Sequence, residues 1–201
     1  IAGGGAAVGL GRDEAYIGVL VDDLTTLGVN EPYRMFTSRA EYRLSLRADN
    51  ADLRLTEKGI EWGCVGAVRA DQFRIHRTEL TKALQRAGTE ALGASALRMA
   101  GLVERSDGHP KTAMDFLRQP GTSATALARG FPWMAALSTR VRAQMETEAL
   151  YSGYLRRQEA DIRTFKREEA VGLDEALDYS AIGGLSTEMR EKLTLVRPQS
   201  L

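Results

Sequence analysis

The feature that most constrains the fold is a long helical pattern over residues 138–171. Apolar side chains such as Val141, Met145 and Leu155 recur there at near-helical spacing. On the polar side, Glu159 precedes Arg163 by four residues, which places opposite charges on neighbouring turns. This period predicts one long amphipathic helix, so the second half of the chain must be organised by helix packing.

Shorter helical patterns surround the long one, and they begin near residue 56. Thr56 is a residue type that caps helices, and Gly63 is a residue type that ends them, so a short helix is predicted through Trp62. Ser186 is predicted to cap a last helix that runs to about Leu195. Two more helices are predicted at 67–87 and at 112–117.

The chain before residue 56 has a different character. Residues 16–21 form a short apolar, β-branched run, which predicts a buried strand. Residues 28–32 predict a turn. In residues 42–46 apolar and polar side chains alternate, which predicts a half-buried strand. A helix is the alternative there, because Arg39, Arg43 and Arg47 are spaced four apart. The predicted fold class is mixed, with a short α/β piece (1–55) followed by an all-α helical domain (56–201).

Composition excludes several classes of protein. The chain is 43% hydrophobic and 27% charged with a net charge of zero, which is typical of soluble globular proteins rather than disordered tails. Its longest apolar runs, 16–21 and 131–137, are far too short to span a membrane. The single cysteine, Cys64, cannot form an internal disulfide and is expected to be half-buried. We expect a cytoplasmic protein.

Most signatures of catalytic and cofactor sites are missing from the sequence. No G-x-G-x-x-G motif is present, and the glycines at 3–5 resemble a dinucleotide loop only weakly. Two histidines and one cysteine give no metal-binding spacing, and His76 is expected at the surface. Asp22 and Asp23 are expected to serve a cap or turn. No metal site and no catalytic residue are predicted.

Residues 31–44 are the segment with the clearest chemical character. They combine three arginines with two tyrosines, a phenylalanine and hydroxyl side chains. Guanidinium groups interleaved with aromatic rings suit a site that holds phosphates and stacks a flat ring or base. The alternative is a structural ion-pair cluster of Arg39, Glu41 and Arg43. Because the net charge is zero, any RNA contact must come from a local patch of this kind.

Several short segments, in order along the chain, share the pattern of one family. They are YIGVLVDDL at 16–24, the block 31–44, DNADLRLT at 49–56, AMDFLRQP at 113–120, YSGY at 151–154 with Arg157 and Gln158, LDY at 177–179, and GLSTE at 184–188. Together they resemble the MnmG (GidA) family. The segments up to residue 56 are highly specific, whereas the stretch 67–110 matches weakly.

The resemblance implies that the intact protein is a flavoprotein of tRNA modification. It implies FAD, NADH and methylenetetrahydrofolate as cofactors and co-substrate, and a homodimer that acts with the GTPase MnmE at C5 of the tRNA wobble uridine. Residues 1–55 would then be the end of the FAD-binding domain, and 56–201 a helical domain cut short before its GTPase-binding end. We expect the chain to be an inactive fragment that lacks most of the flavin site.

The resemblance and the residue types together give a hypothesis for the site. Tyr33, Arg34, Ser38, Arg39 and Arg43 are predicted to line a cleft on the flavin side and to hold the tRNA backbone or the folate carboxylates. A second set of side chains extends the predicted tRNA path along the long helix, unless it is simply a solvated face. This set is Arg156, Arg157 and Arg163.

Two other functions compete with this one. The folate- and FAD-dependent tRNA uracil-5-methyltransferase shares the flavin core, but such relatives lack a helical domain like the one predicted after residue 56. A non-enzymatic helical module that docks RNA or protein would bind without the block 31–44.

Overall fold

The computed structural model describes residues 8–28, 31–102, 108–174 and 176–198. The chain divides into two compact units, Ile1–Leu155 and Arg156–Leu201. Short 3-10 turns at Thr37–Arg39, Pro132–Ala136 and Tyr179–Ala181 join some of the helices. The helices and strands in chain order are α1 (Tyr16–Asp22, continued by a π-helical turn Asp23–Leu27), α2 (Ala51–Glu61), α3 (Ala67–Thr89), β1 (Ala91–Leu92), α4 (Ala94–Met99), β2 (Lys111–Thr112), α5 (Ala113–Leu117), α6 (Ala124–Leu127), α7 (Thr139–Glu169) and α8 (Thr187–Val196).

The predicted fold class is confirmed at the level of a mainly helical chain with a small sheet. Strands β1 and β2 pair antiparallel, with Ala91 opposite Thr112 and Leu92 opposite Lys111. None of the described helices is both long enough and apolar enough to cross a membrane. The predicted boundary between residues 55 and 56 stays a prediction.

The strand predicted at 16–21 is wrong, because these residues form helix α1. Only one side of the run is buried: Val19 is fully buried and Gly18 is also inside, whereas Ile17 and Val21 are 53% and 51% exposed. Ile17 and Val21 are four residues apart, so they share the outer face of a helix. A short apolar run has no period that separates strand from helix, and tertiary packing decides between them.

The strand predicted at 42–46 is also wrong, and its helical alternative is not formed either. The chain turns here, since the backbone N–H groups of Ser45 and Leu46 both donate to the Tyr42 carbonyl, at 2.9 and 3.0 Å. Leu46 and Ala40 are buried against Val19 of α1. The alternation of polar and apolar residues therefore reflects a compact turn with two buried side chains.

Helix boundaries were predicted well, with one exception. Helix α2 begins at Ala51, so Thr56 is buried inside the helix and does not cap it. Its predicted end is confirmed, because Gly63 follows with a φ of 73°. The predicted cap at Ser186 is confirmed, because its side chain accepts from the backbone N–H of Met189. Thr112, for which no cap was predicted, caps α5 in the same way by accepting from the backbone N–H of Asp115.

The first unit contains two hydrophobic clusters. The larger lies among α3, α5, α6, the 3-10 turn at 132–136 and α7, and its fully buried members include Phe131, Met134 and Met145. The smaller contains Val19, Ala40 and Leu46, with Tyr16, Met35 and Tyr42 packed against it.

Two expectations about single residues are wrong. His76 is 8% exposed, not a surface residue, and its Nε2 lies 2.5 Å from Oε1 of Gln144. The amide of Gln144 in turn donates to the Asp49 carbonyl at 2.9 Å. A polar helix can bury a histidine in this way because the ring is given a hydrogen-bond partner. Cys64 is exposed rather than half-buried.

The close approach of α1 to the preceding turn generates a stability prediction. A Cβ added at Gly18 would lie 2.1 Å from the Gly11 carbonyl oxygen, a backbone atom that cannot swing aside. That oxygen already accepts from the backbone N–H groups of Glu14 and Ala15. We expect Gly18→Ala to lower the free energy of unfolding by about 1–3 kcal/mol, the usual cost of overpacking, as measured by urea denaturation.

Gly88→Ala is the matched control, since Gly88 is also helical but has no atom near the added Cβ. It should raise the free energy of unfolding by roughly 0.5–1 kcal/mol through helix propensity. Equal stability of the two variants would contradict the tight contact at Gly18.

Candidate functional site

The block 31–44 lies against α1, and Arg12 joins them. Arg12 Nη1 donates to Asp22 Oδ2 at 2.8 Å and to Asp23 Oδ1 at 2.6 Å. Its Nη2 donates to Glu41 Oε1 at 2.6 Å and to the Arg39 carbonyl at 3.3 Å. Burial opposes the charged form of Arg12, but the hydrogen bonds with Glu41, Asp23 and Asp22 outweigh it and raise its pKa. A charged Arg12 therefore links the end of α1 to the block 31–44.

Asp23 is the buried acceptor at the centre of the same site. It is only 4% exposed, and besides Arg12 it accepts from the Tyr33 hydroxyl, whose oxygen lies 2.7 Å from Asp23 Oδ2. Arg39 Nη1 lies 3.7 Å from the same Oδ2. The hydrogen bonds from Arg12 and Tyr33 hold the pKa of the Asp23 carboxyl below its ordinary value.

Two guanidinium groups of the block stack on aromatic rings. The Arg39 guanidinium carbon is 4.7 Å from the centre of the Tyr33 ring, and that of Arg34 is 5.1 Å from the centre of the Phe36 ring. Burial and the hydrogen bond to Asp23 raise the pKa of Tyr33 above its ordinary value. The hydroxyl of Tyr33 is therefore a hydrogen-bond donor at neutral pH.

The structure brings only some of the predicted site residues into direct contact. Tyr33 and Arg39 share Asp23, whereas Arg34 and Ser38 are exposed beside them. Arg43 is exposed and makes no ion pair with the residues that the structure describes. The alternative cluster of Arg39, Glu41 and Arg43 is not formed as predicted, because Glu41 pairs with Arg12 and Arg39 with Asp23. The assignment of these residues to a tRNA or folate cleft stays a prediction.

Sequence reasoning missed the two residues on which this site depends. Asp22 and Asp23 were expected to serve a cap or turn. Asp23 does occupy the C-cap position of α1, but its side chain is buried with three partners, a role that was not predicted. The sequence signal that could have pointed to Asp23 is its position in the segment 16–24, the first of those that resemble the family. Arg12 could not have been paired with Glu41 by spacing, since 29 residues separate them.

A second network ties the block to the helices of the first unit. Arg47 donates to the Leu44 carbonyl at 2.9 Å and to Asp49 Oδ1 at 3.1 Å, and its Nη2 donates to Glu148 on α7. Its guanidinium also lies 5.1 Å from the centre of the Tyr151 ring, again on α7. These contacts fix the end of the block on the helical part of the unit.

The second unit carries the other predicted tRNA contacts. Arg156, Arg157 and Arg163 are all exposed on α7. Arg156 and Arg163 are seven residues apart, so they lie on one face of the helix about two turns apart. Their role in a tRNA path stays a prediction.

The remaining predictions concern a metal site, the glycines at 3–5 and the turn at 28–32. Among the described residues no group of histidine, cysteine and acidic side chains could hold a metal ion. The glycines at 3–5, and Asn30 in the predicted turn, lie outside the described residues.

Two family models cover most of the chain. Residues 67–159 match the C-terminal helical domain of the tRNA modifying enzyme MnmG/GidA, and residues 161–201 match the C-terminal helical bundle of the same enzyme. The chain belongs to the MnmG/GidA family.

Individual MnmG relatives and solved structures agree with this assignment. The tRNA uridine 5-carboxymethylaminomethyl modification enzyme MnmG of Granulibacter bethesdensis is 46% identical over 97% of the chain, and that of Syntrophobacter fumaroxidans is 45% identical over 96%. The form II crystal structure of Aquifex aeolicus GidA superposes with a TM-score of 0.78 at 31% identity over 99% of the chain. The chain spans about 31% of the Granulibacter MnmG and of the Aquifex GidA chain.

The buried carboxylate of this MnmG/GidA chain generates a pH prediction. The pKa of Asp23 is lowered in the folded chain, so its ionised form stabilises the fold above its unfolded pKa of about 3.9, and that stability is lost as the pH falls through the folded pKa. Asp23→Asn should lower the free energy of unfolding at pH 7 by about 2 kcal/mol, a typical value for a hydrogen bond to a charged group. The difference from wild type should shrink progressively below about pH 4.

Asp22→Asn is the matched control, because Asp22 also accepts from Arg12 but its side chain is 46% exposed. Urea unfolding of both variants between neutral and acid pH should show the smaller effect for Asp22→Asn, since water screens an exposed ion pair. A pH-independent effect of Asp23→Asn would show that the ionised carboxylate is not what stabilises the site.

Proposed function

We propose that the protein containing this chain is a tRNA uridine 5-carboxymethylaminomethyl modification enzyme. In this proposal it modifies C5 of the wobble uridine with a one-carbon unit from methylenetetrahydrofolate, acts as a homodimer in the cytoplasm, and works with the GTPase MnmE. The family membership and the 46% identity to a protein of that name support the proposal. The chain alone is proposed to be inactive.

Within this activity, we assign RNA binding to the block 31–44. The observation that carries the assignment is the set of exposed guanidinium groups on one short loop, Arg34, Arg39 and Arg43. The buried Asp23 carboxylate attracts the Arg39 guanidinium. The distance between Arg39 Nη1 and Asp23 Oδ2 is 3.7 Å, which is beyond hydrogen-bonding range. The donors of Arg39 therefore remain available to phosphate, while Tyr33 and Ser38 border it. Exposed cations that keep free donors are the groups that bind a phosphate backbone.

FAD and NADH are proposed as cofactors of the intact protein only. The described part of this chain has no G-x-G-x-x-G turn between a strand and a helix, the arrangement that cradles a dinucleotide pyrophosphate. The residues present here therefore do not fit either cofactor by themselves, and we derive no chemical step through them. Residues 1–55 are proposed to complete a flavin domain formed mostly by other parts of the protein.

The two competing functions are less well supported. The methyltransferase alternative does not account for the match of residues 67–159 to the MnmG/GidA helical domain. A helical docking module would need neither the block 31–44 nor its anchoring, whereas the structure uses Arg12 and Arg47 to hold that block in place.

The proposal predicts the salt dependence of tRNA binding by this chain. Each phosphate contact contributes about 0.7–0.9 to the slope of log affinity against log salt concentration, so changing Arg34, Arg39 and Arg43 to glutamine should reduce the slope by roughly 2. Fluorescence anisotropy with labelled tRNA over a salt series measures this slope.

The matched control changes three exposed arginines of the helical part, Arg74, Arg98 and Arg129, and should leave the slope nearly unchanged. If both triple variants lose affinity equally, binding follows overall charge and not the block. In the full-length enzyme, an Arg39→Ala variant with unaltered tRNA affinity and modification rate would contradict the assignment of Arg39.

A further inference from the structure

The two guanidinium–ring stacks of the block 31–44 differ in what holds them. In the first, the Tyr33 hydroxyl donates to Asp23 at 2.7 Å, and Arg39 lies 3.7 Å from the same carboxylate. Tyr33 is half-buried. The protein itself therefore fixes the ring and orients the guanidinium of this stack.

The second stack has no such support. Arg34 is exposed and forms no ion pair within the part of the chain that the structure describes. The Phe36 ring, on which Arg34 stacks, is 49% exposed, although an apolar ring of this size is normally buried. The stack thus presents to solvent an exposed cation beside a half-exposed aromatic ring, with no ion pair on the cation among the described residues.

The chemistry of this exposed stack fits an unpaired nucleobase. Aromatic rings and guanidinium planes are the surfaces on which splayed RNA bases stack, and the phosphate beside such a base supplies the negative charge that Arg34 lacks. A protein surface is a poorer occupant, because it would have to desolvate Arg34 and provide a carboxylate for it. We propose that Phe36, together with Arg34, stacks an unpaired base of the bound RNA, while Tyr33 and Arg39 contact the backbone.

This inference rests on the RNA binding proposed above, and it adds Phe36 as a binding residue with a distinct physical signature. Stacking is not an ion-releasing contact, so its loss should lower affinity without changing the salt slope. It also requires an unpaired base, so a fully paired duplex should not benefit from it. Loss of an arginine–phosphate contact should instead reduce the salt slope, both for RNA with an unpaired base and for a fully paired duplex.

The experiment compares Phe36→Leu with Phe36→Tyr in the 201-residue chain. The probes are an RNA hairpin with the sequence of a tRNA anticodon stem-loop and a fully paired duplex built from its stem. Phe36→Leu keeps an apolar side chain without the ring, and we expect about tenfold weaker binding of the hairpin at an unchanged salt slope. Phe36→Tyr should bind like wild type, and duplex binding should be equal for all three proteins.

A fluorescent base analogue placed at successive loop positions of the hairpin gives a direct readout. With the wild-type chain its emission should change at one position as the base stacks, and Phe36→Leu should abolish that change. Equal hairpin affinity for the wild type and Phe36→Leu, or an equal loss for hairpin and duplex, would overturn the inference. Unaltered RNA binding with weaker association of the rest of the enzyme would assign Phe36 to a protein interface instead.

The outcomes also separate this inference from the proposed function. If the arginine triple variant loses salt slope while Phe36→Leu binds normally, the block contacts phosphates and only the stacking role fails. If neither change affects RNA binding, the assignment of RNA binding to the block fails as a whole.

Discussion

The arrangement of the first unit depends on the hydrogen bonds of two arginines, Arg47, which is largely removed from water, and Arg54, which is half-buried. The Arg47 side chain is 11% exposed, and its donors are used by the Leu44 carbonyl, Asp49 and Glu148. Arg54 donates to Asn50 Oδ1 at 2.9 Å and to the Arg47 carbonyl at 3.2 Å, and also to the Glu14 carbonyl. A guanidinium held away from water needs acceptors for its N–H groups, which are carboxylates and a carbonyl for Arg47 and neutral oxygens for Arg54. These two side chains therefore dictate the path of the backbone around them.

These hydrogen bonds also position the candidate site. The smaller hydrophobic cluster contains few residues, and three of the contacts that secure its segments are polar: Arg47 to Glu148, Arg54 to the Glu14 carbonyl, and Lys58 to Glu14. Polar contacts with fixed geometry specify orientation more sharply than apolar packing does. Polar contacts thus tie the segments around the block 31–44 to the helices of the first unit, although much of the block itself is exposed.

The sequence was sufficient where structure is decided locally. Helices α3, α5, α7 and α8 follow from periodicity and from capping residues such as Thr112 and Ser186, whose hydrogen bonds span only three residues. It failed at 16–21 and 42–46, because runs of five or six residues contain too little period to separate a helix or a turn from a strand.

The candidate site was located by its composition and by its family-like pattern, but the roles of its arginines could not be separated in advance. Arg39, Arg43 and Arg47 have the same four-residue spacing, yet Arg47 is a structural residue and Arg43 is exposed. What distinguishes them is Glu148, which lies 101 residues further along the chain than Arg47. Asp23 also lies near Arg39, but at 3.7 Å it makes no hydrogen bond with the exposed guanidinium, so the Arg39 donors stay available. Long-range partners, and not residue type, decide which cations remain available.

The carboxylates beside the block limit how strongly it attracts RNA through charge alone. Arg12 contacts three of them, those of Asp22, Asp23 and Glu41, and one guanidinium does not neutralise three carboxylates. Within the block the exposed arginines are Arg34, Arg39 and Arg43, and a few phosphate contacts give only modest affinity at physiological salt. A surface of this kind gains specificity for RNA only if a contact that does not depend on charge is added. The exposed ring of Phe36, lying under one of the remaining cations, is positioned to make that contact.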